Sequence, residues 1–154
     1  MPDKIELLMD VYREHCSWER HHETQRASVT SILIAVTAGI LGIVTFDGQI
    51  NTYDLPLTIF LIILGCFGAL FSAKQYNSFR QHQERANRIR KALDALVPDA
   101  KLMELRNTAD ESVRRKNPVL SRMRLHHFWN ILHILITFIG AVLTLGAILG
   151  WFNG

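Results

Sequence analysis

The chain has 154 residues, 49% hydrophobic and 20% charged, with a formal net charge of +3. These averages suit one domain-sized unit, yet every Lys and Arg falls within 1–27 or 74–127. Segregation on that scale excludes an ordinary water-soluble domain, which scatters its charge among amphipathic elements.

Residues 1–27 form the first segment in chain order. Between 4 and 26, Ile5, Leu8, Tyr12, His15, Trp18 and His22 recur at three- and four-residue spacing, so an amphipathic helix is expected. Six carboxylates (Asp3, Glu6, Asp10, Glu14, Glu19, Glu23) make this segment unlike the short basic start of a signal peptide. No Pro or Gly separates it from the next segment, so one helix can run through both.

Residues 28–46 carry no ionisable side chain, 55–73 are uncharged, and in 128–152 only His133 titrates. A helix needs about 20 residues to cross a hydrocarbon core of about 30 Å. The expected fold is therefore an all-α integral membrane protein with three transmembrane helices, at about 28–46, 55–73 and 128–152. Three buried helices of a soluble bundle would need polar faces that these segments lack. The first two form a hairpin (28–73) closed by 47–54, where Asp47-Gly48 suits a turn and Pro56 suits the first turn of the second helix.

Residues 74–127 form a basic, helical cytoplasmic region. Over 74–97, Phe79, Gln83, Ala86, Ile89 or Arg90, Leu93 and Leu96 approximate an a/d repeat, with Glu84 set to pair with Arg88. A coiled coil between copies and a helical hairpin within one chain explain this repeat equally well. Val97-Pro98 ends the helix. A shorter helix follows from Ala100 to about Val113, and Asn117-Pro118 breaks the chain before the last segment, 128–154.

Basic residues set the direction. Residues 1–27 hold four, 74–127 hold thirteen, and neither 47–54 nor the tail Asn153-Gly154 holds any. The positive-inside rule places the N-terminus and 74–127 in the cytoplasm, with 47–54 and the C-terminus outside the cell's inner (plasma) membrane. Trp129 and Trp151 fall near opposite ends of the third span, where aromatic belts are expected. Cys16 and Cys66 should differ in depth, so no disulfide is expected.

Candidate chemistry is sparse. His15, Glu19 and His22 share a helix face, and His126 and His127 flank the third span. With no Cys cluster and no His-Glu-x-x-His, these read as polar contacts and no metal or cofactor is expected. Arg122-x4-His127 matches a ribonuclease-like spacing, but it arises easily in so basic a chain and lies against the membrane face. The basic runs Arg85, Arg88, Arg90, Lys91 and Arg114, Arg115, Lys116 are expected to meet anionic lipid headgroups or a cytoplasmic regulator, with no specific nucleic acid. Small residues at Ala35-x3-Gly39, Ala38-x3-Gly42, Gly65-x3-Ala69-x3-Ala73 and Gly146-x3-Gly150 suit close packing of spans. Thr30, Thr37 and Thr45 form a polar line read either as span packing or as the lining of an oligomeric pore. His133 admits a structural and a functional reading. No convergent nucleophile, base or metal set points to an enzyme.

The block Trp18-Glu-Arg-His-His-Glu-Thr-Gln-Arg26 leads into a two-span hairpin, and the second span continues into the polar helix that starts Gln75-Tyr-Asn-Ser-Phe-Arg. Over roughly 10–97 this layout resembles the SLATT-type membrane effectors of bacterial defence systems, from which the third span departs. The resemblance implies a homo-oligomeric, pore-forming effector in antiviral defence, controlled through its cytoplasmic helices. The competing reading is a non-conducting membrane anchor or scaffold that recruits a soluble partner.

Overall fold

The computed structural model describes residues 3–46, 48–118 and 125–151, with side chains of the last stretch from residue 127 onward. Four α-helices account for almost all of it: α1 (Lys4–Val44), α2 (Leu55–Leu96), α3 (Leu102–Lys116) and α4 (Leu125–Leu149). No strand occurs among the described residues. Helices α1, α2 and α4 are each long and apolar enough to cross a membrane.

α1 runs unbroken through the charged and apolar segments because no Pro interrupts it and its first Gly is Gly39. The chain turns after Val44, and Gly48 takes a left-handed conformation (φ 73°) that side-chain-bearing residues rarely adopt. Asn51 then starts a short 3₁₀ turn, Thr52–Asp54, through a reciprocal cap. Its side chain accepts from the Tyr53 N–H at 2.8 Å, and the Asp54 carboxylate accepts from the Asn51 N–H at 3.0 Å. That turn feeds directly into α2, whose first turn contains Pro56.

α2 ends at Leu96, before Pro98. The expected helix at 100–113 is displaced to 102–116, because Pro98–Ala100 form a 3₁₀ turn and Lys101 adopts a left-handed conformation (φ 47°). Lys101 offers no side-chain cap. Asp94, on α2, accepts from the Met103 N–H instead. Arg114, Arg115 and Lys116 complete the last turn, where cations face the negative end of the helix dipole.

α4 starts three residues before the expected 128 and stops short of 152. Gly150, in a left-handed conformation (φ 69°), ends it, and the Trp151 N–H closes onto the Gly146 carbonyl at 3.0 Å. The tail after Trp151 and the Arg122 end of the Arg-x4-His spacing lie outside the described residues.

The chain divides into two compact units. Unit one gathers the described residues of Met1–Thr24 and Gln75–Arg124, so the two polar helix extensions pack on each other within one chain. Unit two gathers those of Gln25–Lys74 and Leu125–Gly154. Its core holds Ile40, Val44, Ile50, Leu61 and Ala147, with Leu41, Leu57, Leu64 and Leu143 packed around them.

Candidate functional site

Unit two is built around a buried polar seam. α1 buries Arg26, Thr30, Leu33, Thr37, Ile40 and Val44, one residue per turn along a single stripe. Thr30 and His133 are each 1% exposed, and Thr30 Oγ1 lies 3.3 Å from His133 Nε2. One turn away, the Arg26 guanidinium sits over the Trp129 ring, 6.0 Å from its centroid. Toward the other end, the Thr58 and Thr144 hydroxyls meet at 3.0 Å, and Thr144 also donates to the Gly140 carbonyl at 2.7 Å. In an apolar medium such contacts hold helices together, since hydrocarbon tails compete with leucines for packing but not for hydrogen bonds.

Glycines let α2 and α4 approach along this seam. A methyl group on Gly68 would stand 2.6 Å from Cε1 of His133, and one on Gly65 would stand 2.8 Å from the His133 carbonyl oxygen. On α4, a methyl at Gly140 would stand 2.9 Å from the Ile62 backbone nitrogen. No larger residue fits at Gly65 or Gly140 without displacing backbone, or at Gly68 without displacing the His133 ring.

The expected packing motifs are only partly the ones used. Gly65 is buried, but Ala69 is half-buried and Ala73 exposed, because a four-residue row drifts off a 3.6-residue helix face. The close row is Gly65, Gly68 and Ser72, all buried. Gly146 is buried within α4, whereas Gly150 is half-buried and terminates the helix. On α1 the outcome is reversed. Gly39 and Gly42 lie opposite the buried stripe, exposed, and a methyl group on either would meet nothing within 4 Å. Thr30 and Thr37 are buried inside the chain, so they line no outward face. Thr45 is exposed and bonds back to the Leu41 carbonyl at 2.8 Å.

Unit one carries an imidazole cluster that the sequence showed only in half. His15 and His22 on α1 meet His82 on α2. His15 Nδ1 lies 3.1 Å from His82 Nδ1, and His22 Nδ1 lies 2.6 Å from Gln75 Oε1. Trp18 stacks on His82 at 5.9 Å with 22° between rings, and the His22 and His82 rings are 5.5 Å apart. Burial, then the neighbouring charges of His15, His22 and Arg85, hold the His82 imidazole below the ordinary histidine range, with Glu14 pulling the other way. Two full charges about 4 Å apart repel by about 4 kcal/mol at an effective dielectric near 20. A cation over an aromatic face recovers about 0.5–1 kcal/mol at an exposed site. Repulsion therefore outweighs what Trp18 offers a charged pair. Glu19 shifts the opposite way: burial raises its carboxyl, against the pull of Arg90, His15 and Arg106.

The α1, α2 and α3 segments of this unit meet at Asn87. Its Oδ1 accepts from Arg106 at 2.7 Å and from Arg90 at 3.2 Å, and Arg90 also donates to the Tyr12 hydroxyl at 2.6 Å. Arg90 is thus a structural residue. Arg85, Arg88 and Lys91 are exposed, as are Arg114, Arg115 and Lys116. Glu84 meets Arg80 at 3.6 Å, one turn before it and opposite in direction to the expected Arg88. No set of three His, Cys, Asp or Glu side chains among the described residues converges to hold a metal ion, and Cys16 and Cys66 are both free thiols.

Comparison with known protein families, with characterised proteins and with solved structures finds no match to this chain.

Proposed function

We propose that the chain is a multi-pass protein of the inner (plasma) membrane, with its N-terminus and basic unit cytoplasmic, that works as a homo-oligomeric membrane effector of the SLATT type in antiviral defence. The observation that carries self-association is the outward face of α1. Gly65, Gly68 and Gly140 are consumed in packing within the chain, whereas Gly39 and Gly42 are left open among exposed Ile32, Val36 and Ile43. A bilayer offers no hydrophobic drive to cover that face. It does favour close backbone contact with another helix of the same shape. The exposed cations Arg85, Arg88 and Lys91 suit anionic headgroups or a cytoplasmic trigger.

A specific observation keeps a second reading in play. The hydroxyls of Thr30, Thr37, Thr58 and Thr144 are turned inward in one chain, so a conducting path lined by them requires the bundle to rearrange. Without that rearrangement the protein serves as a non-conducting anchor for a soluble partner. Purified protein in potassium-loaded liposomes separates the two. Potassium release that scales with protein and is abolished by Gly39→Leu supports the effector. Sealed liposomes under every condition that depolarises expressing cells leave the anchor.

A further inference from the structure

Three histidines from two helices meet in unit one, and one contact between them has a particular logic. The 3.1 Å approach of His15 Nδ1 to His82 Nδ1 is an N–H···N hydrogen bond, with one ring donating and the other accepting. The accepting nitrogen must be unprotonated. The pair therefore tolerates one added proton, which leaves an imidazolium donating to a neutral ring. It does not tolerate two, because both nitrogens then carry hydrogen and two like charges face each other. His22 makes a different contact. Its Nδ1 meets the Gln75 side-chain oxygen, and that bond survives protonation. Once charged, however, His22 adds a third positive ring 5.5 Å from His82.

We infer that His15, His22 and His82 form a proton-operated latch, which holds the Lys4–Thr24 part of α1 against the Gln75–Leu96 part of α2 while the cluster is neutral or singly charged and releases it when further protons bind. The latch rests on the geometry of unit one and stands whether or not the apolar helices conduct.

The surrounding charges set its direction. From α1, Glu14, Glu19 and the His21 ring, 6.0 Å from that of His22, face the cluster; from α2, Arg85 does; Arg90 of α2 and Arg106 of α3 reach Glu19. Burial and the neighbouring positive charges depress the His82 imidazole in the closed hairpin. A histidine depressed in the closed state and ordinary in the open state is bound by more protons when open. Closed-state stability is therefore full above the ordinary histidine value near 6.5 and falls as pH drops below it. Glu19 works against this, because its raised carboxyl takes up a proton more readily in the closed hairpin. It opposes the depressed His82 and the proton-limited His15–His82 contact, and its window runs from the open-state value of 4.5 up to its own raised value. Each net proton taken up on opening shifts the closed-to-open ratio about tenfold per pH unit.

The test uses the full chain in nanodiscs, with Cys16→Ala and Cys66→Ala, and spin labels at Ser17→Cys and Gln81→Cys, both exposed beside the cluster. Dilution with unlabelled protein restricts the reading to distances within one chain. One narrow distance is expected at pH 8, lengthening and broadening toward pH 5 with a midpoint below 6.5. His82→Phe keeps the ring on Trp18 but takes no proton, and should remain narrow at both pH values. Should His82→Phe already be open at pH 8, His15→Gln decides, since it keeps a neutral hydrogen-bonding side chain opposite His82. An unchanged distance between pH 8 and pH 5 in the unsubstituted cluster overturns the latch. So does a His15→Gln chain that opens with the native midpoint.

Discussion

Thr30 on α1 and His133 on α4 lie with Oγ1 and Nε2 3.3 Å apart, both nearly inaccessible, in the middle of three apolar helices. The ionisable group of the third apolar segment is thus tied to the hydroxyl line of the first inside one chain. Close approach at Gly68 leaves the His133 ring no room to swing toward α2.

That pair should behave as a coupled unit. Thr30→Val and His133→Leu each leave a buried polar partner behind and should each cost about 1–3 kcal/mol. The double variant should cost less than the sum, by about 0.6 kcal/mol and at most about 1.7 kcal/mol. A double-mutant cycle on reversible unfolding in mixed micelles measures this. Strict additivity would show that the contact holds nothing.

Glycines on the two sides of the bundle should respond oppositely. Gly68→Leu forces a side chain into the His133 ring and should destabilise unit two by about 1–3 kcal/mol or more. Gly39→Leu enters open space and replaces a poor helix former, so chain stability should hold or rise by up to about 1 kcal/mol. Thermal unfolding followed by helix content compares them directly.

Glu19 makes a signed pH prediction. Its carboxyl is raised by burial, so the charged form burdens the closed hairpin at pH values above that raised value, and the burden is relieved as pH falls toward 4.5. Glu19→Gln should therefore slow amide hydrogen exchange across α1 residues 12–24 at pH 7.5, after correction for intrinsic rates. The advantage should shrink to nothing near pH 4.5. Faster exchange in the variant at pH 7.5 would mean that the attraction of Arg90 and Arg106 outweighs burial.

Topology is open to direct labelling. In a cysteine-free background, Tyr53→Cys lies at an exposed position of the turn between α1 and α2, and Val113→Cys is exposed on α3. A membrane-impermeant maleimide applied to intact cells should label the first and spare the second until the membrane is permeabilised. The reverse pattern would invert the proposed orientation.

The apolar segments and their breaks were legible in the sequence because charge is excluded from the spans and Pro98 forbids helix continuation. The faces of those spans were not. A soluble helix marks its buried side by low polarity, but the span of α1 exposes Ile32, Val36 and Ile43 and buries Thr30 and Thr37. The same small residues, Gly39 and Gly42, therefore read equally well as contacts within the chain and as an outward face. Arg26 was visible only as a topology-setting charge; its four-residue spacing from Thr30 was the available sign that it begins the buried stripe. Gly68 was hidden for a related reason, since rows of four were sought and the helix uses a row of three and four. His82 escaped notice as the partner of His15 and His22 because the register between two helix extensions, joined by about a hundred ångströms of helix and turn (about 1.5 Å per residue), is set by packing along their whole length.

Self-association through the open face of α1 is read out by native mass spectrometry of the detergent-solubilised protein. A discrete homo-oligomer is expected, an integral multiple of 17.6 kDa, that dissociates in the Gly39→Leu/Gly42→Leu variant while helix content is retained. A monomeric native protein at all concentrations, or an oligomer unchanged by that double substitution, would contradict it.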